Sequence, residues 1–138
     1  MIAKGVVSVK MEHVALNVSD PAAVAVWYTQ HLGLEVVRSL PTPPYTHFLR
    51  DSEGTMMIEI YKNPPDQVPD YAQMNPLLLH LAFVSVDPEA DKSRLLEAGA
   101  TCVKDEQLAD GSRLIMMRDP WGLSIQLCKR AKPVLLFR

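Results

Sequence analysis

The sequence predicts an α+β fold of two tandem βαβββ modules forming a cup-shaped mixed sheet with the helices on its outer face. Three observations carry that prediction. His13-Val-Ala-Leu-Asn-Val-Ser-Asp20-Pro21 returns as His80-Leu-Ala-Phe-Val-Ser-Val-Asp87-Pro88, so histidine, alanine and the Asp-Pro pair recur 67 residues later, the mark of an internal duplication. Within each copy, side chains alternate with the two-residue period of a strand. Each Asp-Pro pair then offers a helix N-cap followed by proline in the first helical turn.

The elements follow in order. Residues 10–18 read as the first strand, and a helix covers Ala22 to Leu32 until Gly33 stops it, because glycine accepts the left-handed conformation of a helix C-terminus. Leu34 to Arg38 is a second strand. Pro41, Pro43 and Pro44 mark a loop, after which Tyr45 to Arg50 and Thr55 to Lys62 form a hairpin turning at Asp51-Ser-Glu-Gly54. Asn63 to Pro76 is the most proline-rich stretch and reads as the connection between modules. The second module repeats the order: a strand at Leu77 to Val86, a helix from Pro88 to Ala98 stopped by Gly99, and strands at Thr101 to Lys104, Arg113 to Arg118 and Leu123 to Lys129. The last turn, Arg118-Asp-Pro-Trp-Gly122, echoes Arg50-Asp-Ser-Glu-Gly54 at an offset of 68 rather than 67. That slip predicts a bulge in one closing strand. The tail, Ala131 to Arg138, takes no assignment.

A chain of 138 residues with 48% hydrophobic content suits one domain, with module one over about 8–62, the connection over 63–76 and module two over about 77–130. Fourteen Lys and Arg against sixteen Asp and Glu give a net charge of −2 with no basic run, so nothing points to a phosphate-backbone partner. No segment reads as a secretion signal or a membrane span, so the expectation is a soluble, cytoplasmic protein with neither nucleic acid nor membrane as partner. Cys102 and Cys128 are too few for a disulfide scaffold and read as buried thiols.

The duplication also pairs functional side chains. Glu59 in Met-Ile-Glu-Ile-Tyr and Gln126 in Leu-Ser-Ile-Gln-Leu lie 67 residues apart, each 46 residues after its module's histidine. Strand alternation puts His13, Ala15 and Asn17 on one face, with Met57, Glu59 and Tyr61, and His80, Ala82 and Val84 with Ser124, Gln126 and Cys128. The opposite faces, with Leu16, Ile58, Ile60, Phe83, Ile125 and Leu127, suit packing under a helix. A pseudo-twofold would draw His13, Glu59, His80 and Gln126 towards one axis. Burying Glu59 without a partner would cost roughly several kcal/mol, which a cation would offset. Arg50 and Arg118 read as turn-stabilising, His31 as a group favouring the negative helix end, and His47 as a possible further member of the hollow.

On these residues the sequence resembles the vicinal-oxygen-chelate superfamily of glyoxalases, extradiol dioxygenases, fosfomycin and bleomycin resistance proteins and methylmalonyl-CoA epimerase. The resemblance runs through His13-Val-Ala-Leu with Asp20-Pro21, Trp27-Tyr28 to Leu32-Gly-Leu34, Ile58-Glu-Ile60, His80-Leu-Ala-Phe and Asp119-Pro-Trp-Gly-Leu-Ser-Ile-Gln126. It implies paired βαβββ modules around one divalent metal, with His13, Glu59, His80 and Gln126 on the ligand positions, and a homodimer. Gln126 stands where most metal-dependent members have glutamate, which argues against dioxygenase and fosfomycin-transferase chemistry. With its halves exchanged, the set resembles that of the epimerase. Asn63 matches a glutathione-contacting asparagine of glyoxalase I, whereas the arginine those enzymes carry on the first strand is Asn17 here.

The resulting expectation is a glyoxalase-like lyase or isomerase. A divalent ion (Zn, Ni, Co or Mn) would grip two vicinal oxygens of a small-molecule substrate and stabilise an enediolate, with Glu59 as the base and metal-bound water as the alternative. Asn17, Tyr61, Asn63, Ser124 and Trp121 are candidate substrate contacts. Alternatives are an acyl-CoA epimerase and a non-enzymatic, bleomycin-resistance-type protein that sequesters a ligand, with Tyr45, Tyr61 and Trp121 stacking on a planar molecule.

Overall fold

The computed structural model describes residues 5–135; the first four residues of the opening segment and the last three of the unassigned tail lie outside it. The chain divides into two compact units between Val68 and Pro69. In the first, β1 (His13–Asn17), α1 (Pro21–Leu32), β2 (Glu35–Ser39), β3 (His47–Arg50) and β4 (Met57–Tyr61) follow one another. The second repeats the order with β5 (Leu81–Val84), α2 (Pro88–Glu97), β6 (Thr101–Gln107), β7 (Arg113–Arg118) and β8 (Ser124–Lys129). Each unit is a βαβββ module with a four-stranded mixed sheet, ordered β1-β4-β3-β2 and β5-β8-β7-β6. The first and last strands of each pair in parallel, and the other neighbours are antiparallel.

Local chemistry explains the helices. The Asp20 side chain accepts the Ala23 N–H at 3.2 Å, the Asp87 side chain accepts that of Ala90 at 3.1 Å, and proline follows each cap. Such caps satisfy donors that the first turn leaves unpaired, contributing about 1 kcal/mol each. Gly33 closes α1 in the left-handed conformation, φ +70°. In the first unit α1 packs on β2 and β3, and Leu16, Leu49, Ile58, Ile60, Val24, Trp27 and Tyr28 are buried. In the second, α2 packs on β6, β7 and β8, with Leu95, Ile115, Met117, Ile125 and Leu127 buried. Each such side chain contributes roughly 1.5–3 kcal/mol, so these faces hold the modules together.

The one-residue slip is resolved in the turn. Both β3–β4 and β7–β8 run in unbroken register. Arg50 faces Met57 across the first hairpin and Arg118 faces Ser124 across the second, so the loop after Arg50 is longer by one residue. The predicted bulge in a closing strand is therefore absent. Bulges occur instead between β2 and β3, at Val36/Arg38, and between β6 and β7, at Cys102/Lys104, 66 residues apart. Cys102, at the second bulge on an edge strand, is exposed rather than buried, whereas Cys128 is buried.

The connection between the modules is shared by the two units. Residues 63–67 are tied to β1 through Asn17, whose side-chain N–H groups donate to the carbonyls of Pro64 (2.9 Å) and Gln67 (3.2 Å) while its oxygen accepts the Asn63 N–H (2.7 Å). A 3-10 turn at Tyr71–Gln73 belongs to the second unit. There the Arg118 guanidinium donates to the carbonyls of Tyr71 and Met74, both at 2.8 Å, and of Gly122 at 3.0 Å. Gly122, φ +91°, lies against this turn so closely that a Cβ would fall 2.6 Å from the Ala72 backbone nitrogen.

On the second unit's surface, Asp105 takes hydrogen bonds from Arg113 and Lys92, and Arg113 also pairs with Glu89. The Arg113 hydrogen bond foremost, with help from Lys92, holds the Asp105 carboxyl down at about 2. No helix among the described residues is long and apolar enough to cross a membrane.

Candidate functional site

His13 opens β1 opposite Met57, and Glu59 in β4 stands opposite both Ala15 of β1 and Phe48 of β3. Because alternate residues of a strand share a face, His13, Phe48 and Glu59 lie on the side away from the buried Leu16, Leu49, Ile58 and Ile60. The His13 Nε2 atom lies 3.2 Å from Glu59 Oε1, and its Nδ1 atom lies 2.9 Å from Glu12 Oε1. The Phe48 ring meets the imidazole edge to face at 5.7 Å. The Glu59 side chain is only 19% exposed.

This geometry has a chemical consequence. A carboxylate oxygen can only accept, so the Glu12 contact makes Nδ1 the donor. In the neutral ring carrying that proton, Nε2 is the lone-pair nitrogen, and it lies 3.2 Å from the Glu59 oxygen. A divalent ion with bonds of about 2.0–2.2 Å to nitrogen and oxygen spans roughly 3 Å between its two donors. The His13–Glu59 pair therefore fits two adjacent positions of such an ion.

In the second unit His80 immediately precedes β5, and its Nδ1 donates to the Pro76 carbonyl at 2.9 Å. A carbonyl likewise can only accept, so the neutral His80 ring also presents Nε2 as its lone-pair nitrogen. Gln126 stands opposite Ala82, as Glu59 stands opposite Ala15. Its side-chain oxygen accepts the Cys128 S–H at 3.2 Å, and burial raises that thiol's pKa, keeping it protonated. Among the described residues no group of three or more His, Cys, Asp or Glu gathers as a metal cluster. The structure brings His13 and Glu59 into contact within the first unit, and His80 and Gln126 occupy the equivalent places in the second.

The other predicted residues have definite surroundings. Asn17 engages both ends of its amide with residues 63–67, and the Asn63 N–H is one of its partners. Tyr61, half-buried, stands opposite Asn17. Ser124 is buried and its hydroxyl accepts from Arg118 at 3.3 Å. Trp121, half-buried in the β7–β8 turn, donates its backbone N–H to Asp119 at 2.9 Å.

His47 stands opposite Ile60, on the helix-covered side, and donates to the Tyr45 carbonyl at 2.7 Å. It therefore shares no face with Glu59. His31 lies in the last turn of α1 with its ring 5.2 Å from that of Trp27. Arg50 pairs with Glu35 across β2 and β3, whereas its counterpart Arg118 holds the connecting segment. Glu12 was not among the residues singled out from the sequence. Its only signal there is adjacency to His13, and adjacent residues on a strand ordinarily point to opposite faces.

The glyoxalase-like domain family model matches residues 13–128. No curated protein is matched by the sequence. Among solved structures, the chain is similar to a glyoxalase family protein from Enterococcus faecalis, with 28% identity, a TM-score of 0.67 and coverage of 87% of this chain and 97% of that one. It is similar in fold to an antibiotic-binding protein from a Streptomyces species (19% identity, TM-score 0.69, 89% of this chain and 97% of that one). It is likewise similar in fold to a lactoylglutathione lyase from Agrobacterium tumefaciens (22% identity, TM-score 0.62, 86% and 92%).

Proposed function

Since the chain belongs to the glyoxalase-like domain family, we propose that it is a divalent-metal-dependent lyase or isomerase that moves a proton next to a carbonyl. His13, Glu59, His80 and Gln126 are its ligands, and the working unit is a homodimer. The observation that carries this reading is the 3.2 Å approach of His13 Nε2 to Glu59 Oε1, with Gln126 opposite Ala82 as Glu59 is opposite Ala15 and His80 at the repeat position of His13. A bound divalent ion would supply Lewis acidity towards adjacent substrate oxygens. Glu59 is the one carboxylate of the four and takes the substrate proton. Tyr61, on its face of the sheet, lines the approach, with Asn17, Asn63, Ser124 and Trp121 as further candidate contacts. The likeness to a lactoylglutathione lyase supports this class of reaction.

A second reading has its own support: the likeness to an antibiotic-binding protein, and an amide at Gln126 where a fourth strong ligand would be a carboxylate. In that case the protein sequesters a small planar molecule. Metal analysis of protein purified without chelator separates the two, since a stoichiometric divalent ion supports the enzyme and its absence supports the binder. Screening hemithioacetals of 2-oxoaldehydes and acyl-CoA thioesters for deuterium wash-in at the carbon beside the carbonyl tests the reaction. Glu59→Gln should reduce exchange about 100-fold or more, and His80→Ala should reduce metal content. Unchanged metal content and turnover in both variants would refute the proposal.

A further inference from the structure

Resting on the metal-dependent reading above, the geometry points to Glu12 as a positioning residue that sets the tautomer of His13, so that Nε2 presents its lone pair beside Glu59. Glu12 Oε1 accepts a hydrogen bond from Nδ1 at 2.9 Å, whereas Glu59 Oε1 stands 3.2 Å from Nε2 in a contact of position rather than of hydrogen bonding. A neutral imidazole has two tautomers, and a fixed acceptor at one nitrogen selects the form carrying its proton there. The edge contact with Phe48 steadies the ring in the same orientation.

The duplication supplies an internal comparison. The residue equivalent to Glu12 in the second module is Leu79, and His80 gives its Nδ1–H to the Pro76 carbonyl instead. The two histidines thus present the same nitrogen by different means, one through an anionic side chain and one through neutral backbone. A carboxylate partner makes an imidazole the more basic ligand. The first module's His–Glu pair is consequently the stronger half of the ligand set, and Glu12 contributes to that strength without being a ligand.

Loss of such a supporting partner typically weakens metal binding 10–100-fold. The Glu12 side chain is 70% exposed, which places the effect at the lower end, about ten-fold. The test uses the full chain in four forms: parent, Glu12→Ala, Glu12→Gln and Glu53→Gln. Zn²⁺ affinity is measured by competition with a chromogenic chelator. The ring tautomer is read separately from nitrogen-15 histidine spectra of the metal-free protein at a pH where the ring is neutral. Glu12→Ala should weaken Zn²⁺ about ten-fold and shift His13 away from the Nδ1–H form. Glu12→Gln retains an acceptor oxygen and should keep the tautomer with a smaller loss. Glu53→Gln removes the same charge from an exposed turn and should stay within about two-fold. An unchanged tautomer in Glu12→Ala, or an affinity loss matched by Glu53→Gln, would overturn the inference. A parent that takes up no Zn²⁺ while the tautomer still shifts would overturn the metal-dependent reading and uphold the role of Glu12.

Discussion

Replacing Arg118 by methionine should destabilise the second unit by about 3 kcal/mol, whereas the same change at Arg50 should cost less than about 1 kcal/mol. The two arginines hold equivalent places in the repeat, yet their partners differ in kind. Arg118 donates to three backbone carbonyls, at 2.8, 2.8 and 3.0 Å, two of them on the turn before β5. Hydrogen bonds from a charged donor contribute about 1.5–3 kcal/mol each. Methionine preserves the packing of the stem but leaves all three carbonyls without that donor. Water can reach some of them, so the full sum is not lost. Arg50 pairs with Glu35, and the two side chains are 45% and 65% exposed, the regime in which an ion pair contributes about 0.2–1 kcal/mol. At about 2 cal/mol/K of unfolding entropy per residue, 3 kcal/mol lowers the melting temperature of a chain this size by about 10 °C. Urea and thermal unfolding followed by circular dichroism measure both quantities. Equal losses at the two arginines, or a loss below 1 kcal/mol at Arg118, would show that the turn is held by other contacts.

Gly122→Ala should cost about 3 kcal/mol, since it combines a left-handed φ with a Cβ 2.6 Å from the Ala72 backbone. Gly33→Ala, at φ +70° with open space around the site, should cost only about 1 kcal/mol, and the two melting curves test the difference. Asp105, whose carboxyl is held at about 2 by Arg113 and Lys92, contributes stability that is complete above its unfolded value near pH 4 and is lost as pH falls towards 2. Asp105→Asn should therefore cost about 1–2 kcal/mol at neutral pH, after allowance for solvent screening, and flatten the acid limb of a stability–pH profile. Native protein should show one thiol reacting readily with a disulfide reagent, Cys102, and two after denaturation, because Cys128 is buried and its pKa raised. Mass spectrometry of the labelled peptides identifies which.

Elements whose signals are local could be read directly from the chain. Asp20-Pro21 and Asp87-Pro88 announce helix starts because a capping side chain acts within its own turn. The alternation in His13-Val-Ala-Leu-Asn17 and Met57-Ile-Glu-Ile-Tyr61 assigns faces, and the register puts Glu59 on the His13 side as that alternation requires. The duplication goes further, since it pairs Glu59 with Gln126 without reference to any strand partner. Much of the candidate site was thus visible from periodicity and repeat alone.

What escaped that reading depends on contacts distant in the chain or on backbone path. The extra residue near Gly54 could sit in a strand or in a turn, and only cross-strand register shows the turn absorbing it. Arg50 and Arg118 look alike in sequence because the partners that separate them lie 15 residues away in one case and 44 or 47 in the other. Cys102 is exposed because its bulge falls on an edge strand, and strand order carries no local signature. Residue identity determined which groups are present and which face each strand turns inward, because both follow from side-chain chemistry and a fixed backbone period. Tertiary structure decided which nitrogen of His13 and of His80 donates to an oxygen and which arginine serves as a clamp, because hydrogen bonds are settled by distances that no spacing along the chain specifies.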